Sequence, residues 1–279
     1  KLAKGFLPKI LRNKSLKKIL PPARDFTPKK QDLVPAKLNI QAIQLEPLYP
    51  AQMLRYQKFS SGTLKLKHDP PKGPAAKNVR VSIWIPSLMQ MPVEIALADV
   101  VGGEGLEAAL PLILDPQKLV AQEASAATQA RVELTYEIDG GTQTQARTVP
   151  VMVHSARTVD WSDGRAAAAF VTPREASVRG LAEQVADGVV DDASAYRHAV
   201  ASFEALKQLG FRYVKDPNGV AGKDSLDEIQ FPRETLESRV GDCDDLTVLY
   251  AATLEAMGIE TAFVYVPGHI LLAFDSQYA

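Results

Sequence analysis

Apolar side chains recur at every second position from about residue 52 to 155, and beyond Pro173 they fall on a helical stripe. A period of two held that long must bury antiparallel strands on one face each, and the later switch adds helices to the same chain. Leu64 and Leu66 alternate with Thr63, Lys65 and Lys67. Val79, Val81, Ile83 and Ile85 alternate with Asn78, Arg80, Ser82 and Trp84, and Val132, Leu134, Tyr136 and Ile138 with Arg131, Glu133, Thr135 and Glu137. Asp139-Gly140-Gly141 supplies a hairpin turn that returns through residues 148–153. With shorter runs at 93–97 and 106–114, about seven strands predict an immunoglobulin-like β-sandwich over residues 51–157, without its disulfide. The whole reads as an α+β chain: an antiparallel sandwich first, a mixed domain after it.

The single cysteine among 279 residues excludes an internal disulfide and Cys-rich zinc sites. No run of about 18 apolar residues offers a membrane-spanning helix. The first residue is Lys1, and Ala279 lies just past a strand-like run, which reads as a fragment or processed form. The net charge of −1 conceals an asymmetry: residues 1–37 carry +9 and the remainder −10. Residues 1–50 form a basic, Pro-containing arm. Leu2, Phe6, Ile10, Leu11, Leu16, Ile19 and Leu20 suit an amphipathic helix for an anionic membrane surface or a protein partner. The alternatives are an arm lying on its own acidic body, or a linker. A nucleic-acid partner is not expected. Pro21-Pro22 ends any helix, and Pro28 and Pro35 keep the chain extended up to about residue 50.

Residues 158–173 show neither period and read as a connector, within a segment 158–192 of connector and helix. Trp161 and Phe170 pin it to a flanking domain. In the domain from 193 to 279, Tyr196, Val200, Phe203 and Leu206 make one helical stripe that Gly210 ends. His68 and His154 read as ordinary strand residues, and His198 as a surface residue. No Gly-rich phosphate loop, Ser-centred elbow or metal-binding His pair occurs, so no metal ligands are assigned.

The chemistry-bearing segment is Gly241-Asp242-Cys243-Asp244-Asp245. Gly241 allows the turn, Asp242 is an N-cap and Asp245 its N3 partner, which makes Cys243 the first residue of a helix. Its stripe is Leu246, Tyr250, Leu254 and Met257, closed by Gly258. The helix carries the chain about 21 Å from the thiol at 1.5 Å per residue. A strand over 260–266 brings it back about 20 Å. Pro267-Gly268 then turns the chain, and His269 opens the next strand at the level of the cysteine. A Cys–His acyl-transfer site requires this pairing. The helix dipole favours thiolate, the flanking carboxylates oppose it, and the thiol therefore needs a cationic partner.

The Gly-Asp-Cys-Asp-Asp run, its helix, Pro-Gly-His at 267–269 and the lead-in Gln230-Phe231-Pro232-Arg233-Glu234-Thr235-Leu236 resemble the transglutaminase-like superfamily of papain-fold cysteine enzymes, in its bacterial secreted branch. The likeness covers residues 195–279, and residues 56–173 resemble the sandwich that precedes such domains in some bacterial envelope proteins. It implies Cys243 as nucleophile and His269 as general base and acid. The oxyanion donors would be the Cys243 N–H and a side chain from the preceding segment, for which Gln230 is a candidate. It further implies a protein or peptide amide substrate and a periplasmic or otherwise extracytoplasmic setting, with membrane association through the arm. No cofactor is expected. Calcium stays open, since Asp244 and Asp245 could help to hold it; the other reading of these two is a solvated first turn. The departure is the triad acid. Asp275 is about 20 Å along one strand from His269, so the acid lies beyond Ala279 or another group orients the imidazole. An inactive, protein-binding module is the competing function.

Overall fold

The computed structural model describes residues 35–56, 58–189, 194–215 and 226–276. The expectations for the basic arm up to residue 34 lie outside them. The described residues from Ala36 onward belong to one compact unit. The described strands and helices make an α+β protein whose sheets are antiparallel apart from one short parallel pair.

The chain begins in β1 (Lys37–Leu45), followed by a short α1 (Met53–Tyr56), β2 (Gly62–Asp69), β3 (Lys77–Trp84), β4 (Val93–Ala96), β5 (Gly105–Ala109), α2 (Pro116–Val120), β6 (Ala126–Ile138) and β7 (Gly141–Val153). These strands form a three-stranded sheet, β1-β2-β5, and a four-stranded sheet, β4-β3-β6-β7. One core joins the two. Leu38, Ile40, Leu64 and Leu66 from the first sheet meet Val79, Val81, Ile83, Val132, Leu134 and Tyr136 from the second, all buried. The alternation seen in the sequence is thus the alternation of burial. Asp139 (φ 51°) and Gly140 (φ 75°) both sit in the left-handed region, as a two-residue hairpin loop between twisted strands requires.

Strand β1 corrects the reading of residues 1–50 as extended arm throughout. Lys37–Leu45 is a strand paired to β2, and its alternation is interrupted by a register shift between Ile40 and Ala42. The bulge shifts the phase by one residue, so that Ile43 and Leu45 still pack against the core but fall out of step with Leu38 and Ile40, and the period is lost to the eye.

After the sandwich come β8 (Thr158–Asp160), a 3-10 turn over 164–170, α3 (Ala176–Asp187), α4 (Ala195–Gln208), β9 (Arg212–Tyr213), β10 (Leu226–Glu228), α5 (Pro232–Ser238), β11 (Val240–Gly241), α6 (Cys243–Ala256), β12 (Thr261–Val266) and β13 (His269–Phe274). The expected connector is integral to this region. Strand β8 pairs with β10, and Val159, Ala167 and Phe170 are buried with Ile229 and Val248. Helix α6 buries Val248, Leu249, Ala251, Ala252 and Leu254 completely, whereas Leu246, Tyr250 and Met257 of the expected stripe are only half-buried, so the buried face is displaced from that stripe and shares Leu254 with it.

Helix α4 is present and stops before Gly210, but its buried face is Ala195, Ala199 and Ser202. Tyr196, Val200 and Phe203 are exposed, a rotation of about one residue from the expected stripe. Small side chains let α4 approach α6 closely enough for the Tyr250 hydroxyl to donate to the Ala199 carbonyl at 2.8 Å. Close approach decided the buried face here, and side-chain size did not.

Candidate active site

Helix α6 begins where three hydrogen bonds lock its first turn. The Asp242 carboxylate accepts from the N–H of Asp244 (3.3 Å) and Asp245 (3.5 Å), and the Asp245 carboxylate accepts from the Asp242 N–H (3.3 Å). This reciprocal capping places Cys243 at the first helical position. Gly241 is required beside it, because a Cβ there would come within 2.7 Å of the Asp245 Cβ.

The hairpin β12–β13 returns the chain as its sequence anticipates. Val266 pairs with His269 across Pro267-Gly268, and Gly268 takes φ 73° to close the turn. Cys243 and His269 line one cavity of about 570 Å³. The Ile270 N–H, one residue beyond the histidine, lies within reach of the Cys243 sulfur. Asp275 sits at the opposite end of the hairpin, its N–H donating to the Glu260 carbonyl at 2.9 Å.

The remaining walls come from distant parts of the chain. Trp161, Gly164, Tyr213, Lys215, Asp227 and Tyr265 share the cavity with Asp242 and Asp244. The Trp161 indole donates to Asp227 at 3.2 Å and meets the Tyr265 ring edge-on at 5.9 Å. The Tyr265 hydroxyl donates to the Gly164 carbonyl, and a Cβ at Gly164 would press on that ring at 3.1 Å. A side chain at this position would make the ring give by a few tenths of an ångström. Local sequence gives no sign of Trp161, Tyr213, Asp227 or Tyr265 as site residues, since spacings of tens of residues carry no period.

Electrostatically the site is self-repelling. Burial pushes the Cys243 thiol up, and Asp244 and Asp242 add to the effect; the Ile270 and Cys243 N–H groups oppose them. The free protein thus carries the thiol form at neutral pH. Asp244 is pushed up to about 9, first by burial and then by the neighbouring Asp242, Asp245 and Asp227. Burial also raises Asp245, against N–H bonds from Gln230 and Asp242. These two carboxyls are buried, at 4% and 6% exposure, which corrects the reading of a solvated first turn.

Gln230 stands elsewhere. Its side-chain amide donates to Asp245 at 2.8 Å and to the Val240 carbonyl at 3.3 Å, and its own N–H donates to Asp245 at 2.7 Å. It lines a separate surface depression with Arg157 and Glu234, not the thiol's cavity. Its amide braces the capping turn and is not placed to receive an oxyanion on a substrate at Cys243.

His68 is wholly buried on β2 with both ring nitrogens unpartnered. His154 lies past the end of β7, stacked on Tyr49 at 4.6 Å. Burial lowers its pKa against the opposing charge of Asp160. His198 is half-buried, its Nδ1 3.0 Å from the Ser194 carbonyl. None of the three lines the cavity.

Among the described residues, Asp242, Cys243 and Asp244 are the group whose ligand atoms cluster within 4.8 Å. Calcium seeks about six to eight oxygens. Here the two carboxylates already accept helix N–H groups, and the third donor is a soft sulfur. The set does not fit calcium.

No protein-family model matches the chain, and no curated protein matches it. Among solved structures, a late embryogenesis abundant (LEA) protein studied in solution is similar over part of the chain. It is 11% identical, the match covers 47% of this chain and 78% of that one, and the TM-score is 0.30. A likeness that loose carries no argument about fold or function.

Proposed function

We propose that the chain is a cysteine-dependent acyl-transfer or amide-hydrolysing enzyme of transglutaminase-like type, working on a protein or peptide amide in an extracytoplasmic setting. The observation that supports this is the shared cavity of the one thiol, at a capped helix start, and the histidine that opens the returning strand. In the reaction the His269 imidazole takes the thiol proton, and sulfur attacks the carbonyl carbon. The imidazolium then gives its proton to the departing amine, leaving a thioester. Water completes hydrolysis, and an amine completes transfer. The N–H groups of Cys243 and Ile270 that reach the sulfur stabilise the thiolate while it forms.

Because the protein has one cysteine, alkylation reads this site alone. At neutral pH the rate at which iodoacetamide alkylates Cys243 should fall several-fold in His269→Ala, because the imidazole is the base that takes the thiol proton. A rate unchanged by that substitution would defeat the proposal.

A second reading is favoured by the raised thiol pKa and by the distance of Asp275 from His269: a protein-binding module with a vestigial pair. It predicts that Cys243→Ala leaves cellular function intact.

A further inference from the structure

We infer that Tyr213 is the side-chain oxyanion donor of the Cys243 site. The inference rests on the acyl-transfer reading above and supplies the donor that Gln230 does not. Strand β9 lies parallel to β11, with Tyr213 opposite Gly241 and Arg212 opposite Val240. The level is fixed at both ends: the Arg212 N–H donates to the Arg239 carbonyl at 2.9 Å, and the Val214 N–H donates to the Gly241 carbonyl at 3.0 Å. The ring is thereby carried alongside the two residues that lead into the nucleophile. It lines the cavity, and its hydroxyl comes within hydrogen-bonding reach of the Cys243 sulfur, near Asp242 and Asp244.

A donor that reaches the sulfur before reaction is placed for the oxygen that forms there. When sulfur bonds to the carbonyl carbon, the carbonyl π pair moves onto oxygen. That oxygen sits one bond from the carbon sulfur has attacked, so a small rotation of the phenol transfers its hydrogen bond from sulfur to oxygen. On collapse the pair returns, the C–N bond breaks, and the amine leaves with the proton from His269. The phenol keeps its own proton throughout. Desolvation, with the neighbouring Cys243, Asp242 and Asp244, holds the phenol above its ordinary pKa, so it remains a donor at neutral pH. The Cys243 N–H supplies the second donor by the geometry of the helix start.

Two reagents at the same sulfur separate this role from a general effect on the thiol. p-Nitrophenyl acetate acylates through a tetrahedral oxyanion, whereas iodoacetamide alkylates by displacement at a saturated carbon and forms none. Tyr213→Phe should slow acylation about 100-fold, while alkylation changes less than about threefold. Cys243→Ala gives the background. Tyr213 is 58% exposed and phenylalanine keeps the ring, so the melting temperature should stay unchanged. Equal losses with both reagents would mean that Tyr213 tunes the sulfur and not the oxyanion. No loss with either would remove it from the chemistry. Both outcomes overturn the inference while leaving the Cys–His reading standing. A wild-type thiol inert to both reagents overturns the two together.

Discussion

Replacing Asp244 by asparagine should stabilise this protein, and increasingly so as pH rises. The carboxyl is 4% exposed and its pKa stands at about 9, against an ordinary value of 3.8. Its folded pKa is raised, so between about pH 4 and pH 9 the folded state holds a proton that the unfolded state has shed. Stability therefore falls as pH climbs through that window and levels off above it. At pH 7 the solution is about three units above the ordinary carboxyl value, and at about 1.36 kcal/mol per unit the ceiling is about 4 kcal/mol. Burial dominates the shift and Asp242 and Asp245 titrate together with this carboxyl, so the expected gain lies below that ceiling. Asparagine has the same shape and can still accept from the Asp245 N–H, now at 3.1 Å. Urea titrations of wild type and Asp244→Asn at pH 5, 7 and 9 would read the difference directly. It should be small at pH 5 and largest at pH 9. A gain that does not vary with pH, or a loss at pH 7, would refute the reasoning.

Three other outcomes follow from the same structure. His68→Leu removes two buried, unpartnered ring nitrogens from the sandwich and should raise the urea midpoint by the equivalent of about 1 kcal/mol, with the slope unchanged. Gly241→Ala sets a methyl group within 2.7 Å of the Asp245 Cβ, and thermal melts should show a loss of about 1–3 kcal/mol as the capping turn shifts. Asp242 and Asp227 on the cavity wall should make a trimethylammonium methanethiosulfonate label Cys243 several-fold faster than its sulfonate counterpart, relative to free cysteine. That preference should shrink in high salt.

The strands, the hairpin at Asp139-Gly140 and the capped start at Asp242 can be read from the sequence because each depends on neighbours a few residues apart. The return of His269 to Cys243 is also legible, since helix rise and strand rise set it by length alone. Strand β1 hides behind its bulge. The face of α4 misleads because large apolar side chains suggest burial, whereas Ala195, Ala199 and Ser202 were chosen by how closely α6 approaches. Gln230 illustrates the limit at the site. An amide at a plausible position in the chain has no visible address until its partners, Asp245 and the Val240 carbonyl, are known. Trp161, Tyr213 and Asp227 converge only in three dimensions.

The pairing of β8 with β10 has a mechanical consequence. Residues 154–157 alone separate the last sandwich strand from β8, and β8 runs directly into Trp161 while β10 carries Asp227. The connection between the last strand of the first two sheets and the cavity wall is therefore four residues long. A load applied to those sheets reaches the indole–carboxylate contact through that short link.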